Sequence, residues 1–166
     1  ILGLGVLGLA GTALTGAPPE KAGRTTAGST TVPDVQTIAR MIVNDSAQVR
    51  EGQGVLISGD PAKVPLMEAI AVEVAKRGAF PHMVLESPAA QKRILAEVPT
   101  QYLATPNPMS LAEIKALDVI IGLSPVQDPA SLAKIPEERV ALTRNAAQAF
   151  TDVIYTRPLR TVNLGN

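Results

Sequence analysis

Leu117-Asp118-Val119-Ile120-Ile121-Gly122-Leu123 is the stretch whose reading decides the fold. After Asp118 the residues are apolar without alternation, so a strand here meets an apolar neighbour on both sides. Strands of that kind belong to parallel sheets covered on both faces. Outward from it the same grammar repeats. Upstream, Val55-Leu56-Ile57-Ser58 and Pro81 to Leu85 read as two further strands. Between them Val64 to Arg77 carries apolar residues at helical spacing and stops at Gly78, a helix C-cap. Ahead of these, Val35, Ile38, Ala39, Ile42 and Val43 predict a helix over Val32 to Val49. Pro33 and Asp34 suit its first turn.

Between the second and third strands, Pro88 to Glu97 reads as a helix and Val98 to Pro108 as a loop with one helical turn. Ser110 is placed to cap a short helix through Ala116, with Glu113 in capping-box position. Downstream, Ser124 to Ile135 is loop with a helical turn. Pro136 at the first helical position, with Glu137 and Glu138 behind it, opens a helix through Phe150. Arg160 to Leu164 is a last strand. Strand and helix thus alternate, which gives an α/β fold: an open, mostly parallel sheet with helices on both faces.

Composition excludes several chemistries. The 166 residues hold fifteen basic and fifteen acidic side chains, with no cluster of cations and 2% aromatics. Nucleic-acid binding has no electrostatic footprint in such a chain. No cysteine is present, which removes disulfides, thiolate zinc sites and a cysteine nucleophile together. His82 is the one histidine.

The first residues read as an address. Ile1 to Ala17 is apolar, small and uncharged, the length of a signal-peptide hydrophobic region and shorter than the ~20 residues of a membrane span. Residues 18–31 are rich in Pro, Gly, Ser and Thr and form a flexible linker. The α/β domain follows over 32–166. Export is the expectation, periplasmic or secreted, with a retained single-pass anchor as the alternative. Gly3, Gly5 and Gly8 match G-x-G-x-x-G, but no strand precedes them and no acid stands at the right distance, so they are not a dinucleotide site. Ile1 in place of Met, and a last strand broken off near Asn166, lead to the expectation of a truncated reading frame.

Ligands of open parallel sheets sit at the carboxyl ends of the strands. The residues there are Ser58 and Asp60, Glu86 and Ser87, and Ser124 with Gln127 and Asp128. Ser58 lacks the flanks of a nucleophile elbow, and Asp60 or Ser58 reads best as a cap for the following helix. Glu86, Asp118 and Asp128 are the carboxylates available to a hard cation, without specific spacing. His82 has no acid near it in sequence, and Glu137-Glu138-Arg139 reads as a solvated helix face. No catalytic, cofactor-binding or metal-ligating residue is assigned on these grounds.

From Ile38 to Asn166 the chain resembles the N-terminal domain of the thermophilic metallo-aminopeptidases of the aminopeptidase T and aminopeptidase S type. The matching pieces stand in order. They are Ala39-Arg40-Met41-Ile42-Val43, Val49-Arg50-Glu51-Gly52-Gln53-Gly54-Val55-Leu56-Ile57, Ala75-Lys76-Arg77-Gly78-Ala79 and Pro81-His82-Met83-Val84-Leu85. Leu117 to Leu123, Pro136 to Leu142 and Arg157-Pro158-Leu159-Arg160 complete the series. The resemblance implies a cocatalytic exopeptidase with two divalent metal ions (zinc, cobalt or similar) that removes N-terminal residues from peptides and commonly forms a homodimer. It also implies that the metal-binding Glu, His, Tyr and Asp lie in a C-terminal domain beyond Asn166, so that peptides would be bound there and this part would be inactive alone. No nucleic acid is expected as a partner, and a membrane only through an uncleaved N-terminal segment. The other reading of the residues is a self-contained periplasmic binding or interaction module of flavodoxin-like shape, without catalysis.

Overall fold

The computed structural model describes residues 34–123 and 132–164. Four parallel strands, β1 (Gly54–Gly59), β2 (Phe80–Leu85), β3 (Val119–Gly122) and β4 (Arg160–Asn163), lie in the order β2-β1-β3-β4. The helices are α1 (Val35–Met41), α2 (Val64–Lys76), α3 (Pro88–Glu97), α4 (Thr100–Leu103), α5 (Pro108–Ala116) and α6 (Glu137–Thr156). The chain leaves β1 toward β2, then crosses back over β1 to β3 and goes on to β4. With right-handed connections, that reversal puts α2 on one face and α3 to α6 on the other. The packing agrees: α2 lies on α1, β1 and β2, while α6 gathers α3, α4 and α5. The expected open parallel α/β sheet is what forms.

The main core lies under α1 and α2. Val55 and Ile57 of β1 and Val119 and Ile121 of β3 meet Val43, Met67, Ile70 and Val74, all fully buried. On the opposite face Leu95, Leu103, Ile114, Leu117 and Phe150 are buried outside that cluster. β2 is an edge strand, so it escapes the rule of apolar cover on both sides. Of its residues only Val84 is buried, and Phe80 is 68% exposed. The Phe80 and Glu86 amides donate to Gln53 and Gly59 of the β1 segment. By alternation Pro81, Met83 and Leu85 turn their backbone to the open edge. Pro81 has no N–H to offer there, as is usual for a protected edge.

Three helix boundaries depart from expectation. The first helix starts at Val35, where Asp34 Oδ1 accepts from the Thr37 amide at 2.7 Å. Past Met41 it widens into a π-helical turn, Ile42–Ser46, in which the Ala47 amide reaches Ile42 O. The wider turn keeps Val43 and Ala47 both in the core before the chain turns at Gln48, φ 48°. Second, α5 begins at Pro108, capped by Asn107 Oδ1 on the Met109 amide at 2.9 Å. Ser110 is buried inside the helix and is not the cap. Third, α6 runs past Phe150 to Thr156, with Pro136 just ahead of its first residue.

Helix ends are closed in two ways. At the end of α2, Gly78 takes φ 71° and its amide bonds Ala75 O while that of Ala79 bonds Val74 O, a Schellman motif. Three other ends are met by guanidinium groups from late in the chain. Arg139 donates to Leu95 O and Val98 O at the end of α3. Arg157 donates to Ile114 O and Lys115 O in α5. Arg160 donates to Ala47 O at 2.6 Å and Gln48 O at 2.9 Å after the π-helical turn.

Candidate functional site

At the carboxyl end of the sheet the candidate residues have structural partners. Asp60 Oδ1 accepts from the Ala62 amide at 2.8 Å and caps the turn of 3-10 helix at Pro61–Lys63. Ser87 Oγ accepts from the Ala90 amide at 3.2 Å and caps α3. Ser58 is buried beneath the end of β1, and the Glu86 amide continues the ladder to Gly59 O. Ser124, Gln127 and Asp128 lie outside the described residues, as do Gly3, Gly5 and Gly8 and the whole of the segments 1–17 and 18–31.

Of the carboxylates available to a hard cation, Glu86 and Asp118 do not converge, and Asp128 lies outside the described residues. Glu86 follows β2 and so stands at the carboxyl edge, whereas Asp118 precedes β3 at the amino edge. Asp118 Oδ2 accepts from the Gly54 amide at 2.9 Å, and Oδ1 lies 4.0 Å from Arg157 Nη2. Its work is to fasten the start of β1 to β3. Arg139 is likewise no part of a solvated face, because its guanidinium is spent on the carbonyls of α3 and the residue after it.

The amino edge of the sheet holds what sequence reading missed. An open cavity of about 380 Å³ lies between the β2 edge and α5, lined by Gly52, Gly54, Phe80, Pro81, His82, Glu113, Ala116, Leu117 and Asp118. Across it His82 Nε2 stands 2.9 Å from Glu113 Oε1. The ring nitrogen is within ion-pair reach of that oxygen. Oε1 is closed to solvent and accepts no hydrogen bond. In sequence the two residues are far apart, and only the register of β2 beside β1 brings His82 over α5. The available signal was the alternation of β2: His82 pairs with Leu56 and shares its face.

A two-metal hydrolytic centre needs several convergent carboxylates and imidazoles. Among the described residues no group of three or more such side chains comes together. The described residues therefore do not fit the two-ion centre, which the resemblance places beyond Asn166.

Wild-type AmpT from Thermus thermophilus superposes with a TM-score of 0.65 at 17% identity, over 79% of this chain and 35% of that one. The likeness is one of fold. An alcohol dehydrogenase superfamily protein from Novosphingobium aromaticivorans aligns over 75% of this chain and 47% of its own, at 19% identity and a TM-score of 0.31, too low to mark a shared fold. No curated protein sequence matches the chain. Residues 32–161 match the model of the thermophilic metalloprotease (M29) family, and the chain belongs to that family.

Proposed function

We propose that this chain is the N-terminal scaffold domain of an exported metal-dependent aminopeptidase that removes N-terminal residues from peptides, and that it is inactive by itself. The observation that carries the reading is the family match over 32–161 set beside the donor inventory. A metalloprotease family is named by the first, and among the described residues no three metal-ligating side chains gather. The chain spans 35% of the AmpT chain it resembles, which leaves room elsewhere in a longer protein for a metal centre and a peptide site. Two divalent ions (zinc, cobalt or similar) and the substrate contacts belong to that other part, and the whole protein forms a homodimer.

Export rests on the apolar run Ile1 to Ala17 and the Pro, Gly, Ser and Thr-rich residues 18–31 that follow. Among the described residues no helix is long and apolar enough to cross a membrane. Fusing 1–31 to a reporter that works only outside the cytoplasm tests this part; a silent reporter would remove export from the reading.

Activity is tested by incubating the 166-residue chain with unblocked peptides and added zinc or cobalt. The expected outcome is no release of N-terminal residues, while the same assay on a longer protein containing this chain gives metal-dependent release. Turnover by the 166 residues alone overturns the scaffold assignment.

A further inference from the structure

His82 and Glu113 face each other from two elements that different parts of the fold hold in place. β2 packs on β1 and α2, whereas α5 packs on α6. Between β2 and α5 lies the open cavity of about 380 Å³. Across it His82 Nε2 comes within 2.9 Å of Glu113 Oε1, an oxygen closed to solvent that no hydrogen bond reaches. A carboxylate oxygen out of water without a directed N–H is compensated only by positive charge close by. The other charged groups around the cavity do not supply it. Arg157 donates to the Ile114 and Lys115 carbonyls and faces Asp118 at 4.0 Å. Lys115 stands two places along α5 from Glu113, on another side of the helix. Asp118 is itself a carboxylate, with Oδ2 on the Gly54 amide, and the lining at the start of β1 is Gly52 and Gly54. The group placed to bring the charge is the His82 imidazole.

We propose that this pair is a pH-sensitive joint: a proton on His82 draws α5 against the edge strand β2, and loss of that proton releases it. Imidazoles change charge between about pH 5 and pH 8, a range in which exposed carboxylates stay ionised. With the proton in place, Glu113 meets an imidazolium at contact distance. Without it, the cavity wall carries two carboxylates, Glu113 and Asp118, and Arg157 is already shared between Asp118 and the carbonyls of α5. The sealed oxygen is then uncompensated, and α5 moves off β2 to let water reach it. The His82 side chain is 52% exposed and that of Glu113 26%, so the proton exchanges with solvent and the joint is weak enough to open. The cavity is the space into which that movement is made.

His82 is the one histidine, so the imidazole that titrates is known. The test is a double-mutant cycle on the 166-residue chain, comparing it with His82→Gln, Glu113→Gln and the two together. Each is unfolded in urea at about pH 5.5 and about pH 8.5, toward either side of the imidazole range. In acid the unfolding constants are expected to show a coupling of roughly two- to fivefold, as for a partly exposed pair, and at the alkaline pH none. Hydrogen exchange of the α5 amides, corrected for its intrinsic pH dependence, is expected to slow in acid by a similar factor only where both side chains are present. His82→Lys, charged at both pH values, is expected to keep α5 protected under alkaline conditions and so to remove the difference. That variant decides the question if Glu113→Gln does not fold. Coupling of one size at both pH values overturns the joint, because a fixed contact then holds α5, and so does the absence of coupling at either. A pH response of His82→Lys equal to that of the unchanged chain overturns it as well.

Discussion

Gly54 stands where β1 starts beneath the last turn of α5. A Cβ added there would lie 2.6 Å from Ala116 O, a backbone atom that cannot swing aside. Its amide is also the donor to Asp118. Gly54→Ala is expected to cost about 1–3 kcal/mol by overpacking, measured as a lower urea midpoint with an unchanged slope. Arg160 acts at the opposite side of the sheet, where two carbonyls after the π-helical turn have it as donor. Hydrogen bonds from a charged group are worth about 1.5–3 kcal/mol, and Arg160→Met should lose an amount of that order in the same titration. If Arg160→Met melts with the unchanged chain, the guanidinium is a surface group and not a cap. Neither role is visible in sequence. Gly54 reads there as one more loop glycine, and a cap supplied from 113 positions away has no local signature.

At the level of elements, caps were legible when the capping residue adjoined its own helix. Asp60 and Gly78 announced themselves, because a short polar side chain or a positive φ is a local requirement, whereas Asp34, expected inside the first turn, caps the helix from just ahead of it. For α5 the expected cap Ser110 lies in the interior, and Asn107 with Pro108 behind it caps the helix instead. Asn107→Ala should therefore cost about 1 kcal/mol in thermal melts, the usual value of such a cap. The acid limb of stability has a named origin as well. The Thr37 amide, more than any other group, holds the Asp34 carboxyl below its ordinary value, and the hydrogen bond from Arg93 does so for Glu97. A carboxylate lowered in the folded state stabilises in full above its unfolded value of about 4 and loses that contribution as pH falls through the folded value. Stability of Asp34→Asn and Glu97→Gln followed from pH 7 downward should fall less steeply in acid than that of the unchanged chain. Identical acid slopes would deny these groups any share. On β2, Pro81→Val restores an outward amide to the open edge. Sedimentation velocity should then show more self-association at high concentration.

For the whole molecule, alternation of apolar strands with helices sufficed for a parallel α/β sheet, since that pattern follows from burial on two faces. Strand order was not legible. The crossing from β2 back over β1 to β3 is decided by contacts between distant segments, and so are the sidedness of α3 to α6 and the meeting of His82 with Glu113. Arginines 139 and 157 tie down the second helical layer and Arg160 the end of the first helix, reaching back to carbonyls 41 to 113 positions earlier. That arrangement has a consequence for the chain as it is made. A ribosome adding roughly 5–20 residues per second needs on the order of 10 s to pass from Ala47 to Arg160. Through that interval the nascent chain has Ala47 O and Gln48 O without their guanidinium donor and its sheet without β4. Those two carbonyls thus wait for their donor until the last arginine has been added.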